Sequence, residues 1–163
     1  MAQPTPFDLS QRFSQLTGHK VTFVQAPLTM DGMVKQVYGI FTVLPSHAAL
    51  VVKADLPLLG SFAGALVGFP DVVVKEHLRV TPLEELMRDA INEVFNVAAA
   101  AVSTEGRAVF EKMVMDRIYI DGAAGEMFAK PDHRSYFNVR MEGYQGGRFN
   151  IFSRFVPGKT VTF

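Results

Sequence analysis

Thr81-Pro82-Leu83-Glu84-Glu85-Leu86-Met87-Arg88-Asp89-Ala90-Ile91-Asn92-Glu93-Val94-Phe95-Asn96-Val97-Ala98 is the stretch on which the fold turns. Thr81, Pro82 and Glu84 have the spacing of a helix N-terminus: a capping residue, a proline in the first turn and a carboxylate three positions on. Leu83, Leu86, Met87, Ala90, Ile91, Val94, Val97, Ala98 and Ala101 then recur at helical spacing. The pattern predicts one long amphipathic helix near residues 82–103, with Gly106 beyond its end. At 100° per residue, Glu85, Asp89, Asn92, Glu93 and Asn96 fall within about 100° of one another. Asp89, Glu93 and Asn96 stand at i, i+4 and i+7, a single row along the axis. Two carboxylates and an amide in such a row can grip a cation on a partner and orient a water. An ordinary solvated helix face has the same composition.

Outward from that helix, the chain punctuates itself. Leu9, Phe13 and Leu16 mark a short helix ended by Gly18. Lys20–Ala26 alternates as a strand, and Asp31-Gly32 signals a hairpin turn into a second strand over Val34–Leu44. Ala48–Lys53 is a third strand. Asp55 and Pro57 then open a helix reaching about Val67. Its glycines, Gly60, Gly64 and Gly68, lie four apart and suit close packing on a neighbour. After the long helix, Met113–Ile120 reads as a strand. Ser135–Gly143 and Arg148–Val156 read as a hairpin across Tyr144-Gln145-Gly146-Gly147, with Phe149, Ile151 and Phe155 on one side. Strands joined by tight turns predict an α+β fold: a mainly antiparallel sheet of about six strands, with two or three helices on one face. A single domain over residues 7–156 is expected, with loose termini at 1–6 and 157–163.

Composition narrows the function. The 163 residues include no Cys, which excludes disulfides, thiolate metal sites and a Cys nucleophile, and fits a reducing, cytoplasmic setting. Sixteen basic residues balance sixteen acidic ones and no basic run exceeds one residue, so nucleic acid is not an expected partner. The start lacks the charged and apolar regions of a signal peptide, and the apolar stretch near 56–69 is too short for a membrane span. His19, His47, His77 and His133 share no ligand spacing, so no metal site is expected. Arg148 and Arg154 read as water-facing residues of the last strand, and Met113 and Met115 as core or interface filler.

Asp89, three residues, Glu93, two residues, Asn96 resembles the helical signature of the CheC/CheX/FliY response-regulator phosphatases: Asp or Ser, three residues, Glu, two residues, Asn. The hairpin Glu142-Gly143-Tyr144-Gln145-Gly146-Gly147-Arg148 is similar to one in CheX-like proteins, as is the order of elements over about residues 7–156. The signature occurs once, as in CheX-type members, which are homodimers; CheC-type members carry it twice. The resemblance implies hydrolysis of the aspartyl phosphate of a CheY-type response regulator. Glu93 and Asn96 would be the catalytic pair, Glu93 meeting a regulator lysine and Asn96 orienting the attacking water. Asp89, Glu85 and Asn92 would support docking. It implies no cofactor of the chain's own, with magnesium in the regulator's site. One departure stands out. Many members read Asn-x-x-Ala-Gly, whereas Asn96 is followed by Val97-Ala98-Ala99-Ala100. The alternative is a non-catalytic CheX-like interaction module in two-component or motility signalling.

Overall fold

A computed structural model describes residues 4–27, 33–104 and 106–154. Its elements are α1 (Pro6–Thr17), β1 (Val21–Gln25), β2 (Gln36–Leu44), β3 (Ala48–Asp55), α2 (Leu56–Val67), α3 (Asp71–Leu78), α4 (Glu85–Ala98), β4 (Arg107–Val114), a 3-10 turn (Arg117–Tyr119), α5 (Gly122–Ala129), β5 (His133–Met141) and β6 (Tyr144–Ser153). The strands form one sheet in the order β1-β5-β6-β3-β2-β4, and every neighbouring pair is antiparallel. The α+β class and the six-stranded antiparallel sheet are as the sequence predicts.

Side chains along a strand alternate between faces, and both faces are used. Val37, Phe41, Leu50, Val52, Phe149 and Ile151 point to the main core, shared with α1, α2 and α4. Tyr38, Ile40, Val51 and Phe152 point the other way and bury Ile120, Ala124 and Met127 of the α5 segment. The sequence pattern did not reveal α3 or α5, both of eight residues and with only one or two buried side chains each. The glycines of α2 are explained by α3. A Cβ on Gly60 would sit 2.6 Å from Leu78 Cδ1, and one on Gly64 would strike Val74 Cγ2. The close approach their spacing allows is therefore made within the chain.

Several boundaries move for physical reasons. Helix α4 starts at Glu85 with Glu84 as N-cap, so the expected capping box does not form. The Glu84 carboxylate instead meets His77 Nδ1 at 2.7 Å. The helix ends at Ala98 rather than near Ser103, and β4 begins at Arg107 rather than Met113. The expected last part of that strand is instead the 3-10 turn, which leaves Ile118 and Tyr119 exposed. The β5–β6 turn is Glu142-Gly143, with Gly143 at φ 84° and Met141 paired to Tyr144. Gly146 and Gly147 lie inside β6, where a Cβ on Gly147 would come within 2.9 Å of Asp55 Oδ2.

Arg148 is not a water-facing residue. Its backbone N–H donates to Asp55 Oδ2 at 2.8 Å and its Nη2 to Oδ1 at 3.2 Å. Gln36 Nε2 donates to the same carboxylate at 2.6 Å. Asp55 is 5% exposed and caps no helix with its side chain, because burial commits it to these donors. Arg154 donates to the carbonyls of Glu126 and Lys130 at the end of α5. Met113 and Met115 pack at the edge of the main core. The expected turn at Asp31-Gly32, the side chain of Phe155 and the terminus at 157–163 lie outside the described residues.

Candidate functional site

The site is built on α4, so its rigidity comes first. Met87, Ala90, Ile91, Val94, Phe95 and Ala98 are buried along one side of the helix. Phe95 is the bulkiest of these anchors. Its ring lies against Gly39 of β2, where a Cβ would meet ring carbons at 2.6 Å, so only glycine leaves room for it. The same ring stacks on Phe110 at 5.4 Å and stands edge-on to Phe41 at 6.1 Å. Burying a side chain of this kind stabilises by about 1.5–3 kcal/mol. The N-terminal end is fixed separately. His77 stacks on Phe69 at 5.0 Å while its Nδ1 meets Glu84, and the Phe69 carbonyl accepts from the Tyr144 hydroxyl at 2.6 Å. Arg88 Nη2 donates back to the Leu83 carbonyl at 2.9 Å.

The outward face follows from that docking. Glu85, Asp89, Glu93 and Asn96 are exposed, and Asn92 is half-buried at the edge of the stripe. Among the described residues, no hydrogen bond or ion pair engages the side chains of Asp89, Glu93 or Asn96. Their donors and acceptors are therefore free for a second molecule. The arrangement supplies two carboxylates for a partner's cation and one amide, with both donor and acceptor, for a water. No group of three or more His, Asp or Glu side chains among the described residues is placed to hold a metal.

Leu86 and Val97 are not on the buried side, where the apolar pattern puts them. They are 50% and 43% exposed. The helix angle contains the signal that the pattern missed. Leu86 and Val97 lie about 20° and 40° from Glu93, whereas Phe95 lies on the far side of the axis. The face is thus a row of three polar groups flanked by two exposed aliphatic side chains, a composition suited to contact with protein. Ala100 lies in the turn after the helix rather than inside it. The departure from Asn-x-x-Ala-Gly therefore does not stiffen the signature helix.

No described helix is long and apolar enough to cross a membrane. No family model matches the sequence, and no curated protein matches it. Solved structures do match. The middle domain of FliM from H. pylori aligns at a TM-score of 0.55 and 13% identity, covering 91% of this chain and 84% of that one. FliY from Thermotoga maritima aligns at 0.54 and 14% identity, covering 90% and 82%. The chemotaxis protein CheX from Vibrio vulnificus aligns at 0.51 and 10% identity, covering 91% and 95%. At such identities the likeness is one of fold, and the fold of this chain is that of the CheC/CheX/FliY type, shared with the FliM middle domain.

Proposed function

We propose that this chain is a CheX-like phosphatase that hydrolyses the aspartyl phosphate of a CheY-type response regulator in the cytoplasm. The observation that carries the reading is the unpartnered row of Asp89, Glu93 and Asn96 on a helix locked to the sheet by Phe95. The fold likeness to CheX and FliY supports it.

In this reading Glu93 pairs with a lysine of the regulator, and Asp89, Glu85 and Asn92 contact the surface around it. Asn96 projects its amide towards the acyl phosphate and holds the attacking water in line. The water oxygen bonds to phosphorus and the bond from phosphorus to the aspartyl oxygen breaks. The carboxylate leaves with the bonding pair, and the water's proton passes to phosphate or solvent. A magnesium ion bound by the regulator balances charge on the phosphoryl oxygens. The protein contributes position rather than a base, which suffices where little covalent chemistry falls to the catalyst.

One signature per chain suits a homodimer. Helix α2 is largely buried in its own core, which leaves the edge strands β1 and β4 as the proposed contact. Sedimentation at micromolar concentration should show a dimer; a clean monomer counts against this part of the reading.

The test is phosphate release from purified, phosphorylated receiver domains of the same genome. Acceleration by wild type and its loss in Asn96→Ala support the phosphatase. Binding without acceleration replaces it with a non-catalytic interaction module, the outcome to which Ala100 in place of the family glycine is relevant.

A further inference from the structure

An open groove of about 310 Å³ runs between α1 and the end of α4. Arg12, Gln15 and Leu16 form one wall; Val97, Ala100 and Ala101 form the other. Val97 stands one helical turn beyond Glu93 on the same side of α4, so the groove continues the face that carries the polar row. Its inner surface is apolar, with Phe13 and Ala98 buried at its base. Arg12 and Gln15 are exposed at its rim, and among the described residues neither side chain makes a hydrogen bond or an ion pair. The neighbouring face carries Glu85, Asp89 and Glu93. The combined surface is therefore bipolar: acidic along α4, cationic at Arg12, with an apolar slot between the helices.

The geometry points to this groove as the part of the docking surface that selects the partner. Its occupant is a segment of the docked response regulator that presents an apolar side chain to Leu16, Val97 and Ala100 and a carboxylate to Arg12. The identity of the occupant rests on the phosphatase reading. Charge complementarity argues for it. A partner that gives a lysine to Glu93 also meets the Arg12 guanidinium on the far wall of the groove, and an acidic residue there matches it. Ala100 acquires a role in the same step. A side chain at this position shapes the slot, so the departure from the family pattern is a change of groove rather than of helix.

The experiment uses the full chain and purified receiver domains of the same genome, loaded with beryllium fluoride as an acyl-phosphate mimic. Binding is titrated for wild type, Arg12→Glu, Arg12→Lys, Ala100→Leu and Glu93→Ala, with thermal melts as the folding control. Arg12→Glu is expected to raise Kd about tenfold or more at low salt, and the penalty should shrink as ionic strength rises. Arg12→Lys should recover most of the loss. Ala100→Leu fills the slot and should weaken binding about as much, without the salt dependence. If Arg12→Glu and Ala100→Leu bind as wild type does while Glu93→Ala loses binding, the groove is overturned and the phosphatase reading stands. If the groove variants lose binding and Glu93→Ala does not, the groove stands and the signature row fails. If no receiver domain binds wild type, both fall; a dimer lost in Arg12→Glu would then make a second copy of this chain the occupant.

Discussion

Helices α2 and α4 pack against each other over the same face of the sheet, yet they are opposite kinds of helix. In α2, Leu58, Leu59, Phe62 and Ala63 are all 0% exposed, and Gly60 and Gly64 are buried between them. Its one polar side chain, Ser61, is 1% exposed and donates to the Gln145 carbonyl at 2.7 Å. Only Val67, at the C-terminal end of α2, is exposed. Helix α4 buries one side as thoroughly, through Met87, Ile91, Val94 and Phe95, and leaves the other as a polar row whose side chains have no partner among the described residues. The fold accounts for all of the first helix but its last residue, and for only half of the second. The surplus on α4 is where function can reside without cost to the core.

Substitutions can break that contrast or sharpen it. The largest effect is expected from Phe62→Ala, which removes a fully buried ring from α2 and should cost about 3–5 kcal/mol in equilibrium denaturation. A loss below about 1 kcal/mol would remove α2 from the core and end the comparison. Asn96→Ala should sit at the other pole. Stability should stay within about 0.5 kcal/mol of wild type, since the side chain is exposed. The acceleration of regulator dephosphorylation should fall by about 10²–10³-fold, the usual consequence of deleting one positioned polar group, while binding is kept.

Glu93→Ala separates binding from chemistry on the same face. Loss of a charge-assisted contact should weaken regulator binding by about 1.5–3 kcal/mol, read by titration, with the melting temperature unchanged. A wild-type Kd in this variant would detach Glu93 from docking. Gly64→Ala returns to α2. The added methyl meets Val74, a stiff β-branched side chain, so α3 must shift, and a destabilisation of about 1–3 kcal/mol is expected. The smallest effect belongs to Ala100→Gly. Ala100 is not at positive φ, so the change should destabilise by only about 0.4–1 kcal/mol through the unfolded chain. Gain of phosphatase activity in this variant of an otherwise inactive protein would identify a lapsed enzyme.

Elements whose signal is local are legible in the amino-acid sequence. Periodicity placed α4, α1, α2 and five of the six strands to within a few residues, because one buried side repeats at 3.6 or 2 residues wherever it occurs. The polar row of Asp89, Glu93 and Asn96 was legible for the same reason: a helix angle is a property of spacing alone. The remaining features depend on residues far apart in the chain. The spacing makes the Glu84 carboxylate the partner of Thr81 in a capping box, but His77 of α3 claims that carboxylate and Glu84 itself becomes the N-cap. Gly146 and Gly147 read as a turn, but they are strand residues made small by the approach of a neighbouring carbonyl and of Asp55. Arg148 read as solvated until the strand register set it beside Asp55. The groove between Arg12 and Ala100 lies between two helices separated by residues 18–84, and no local pattern marks it. Local chemistry writes the helix and strand; which groups are then buried, paired or left free is settled by the packing of distant segments.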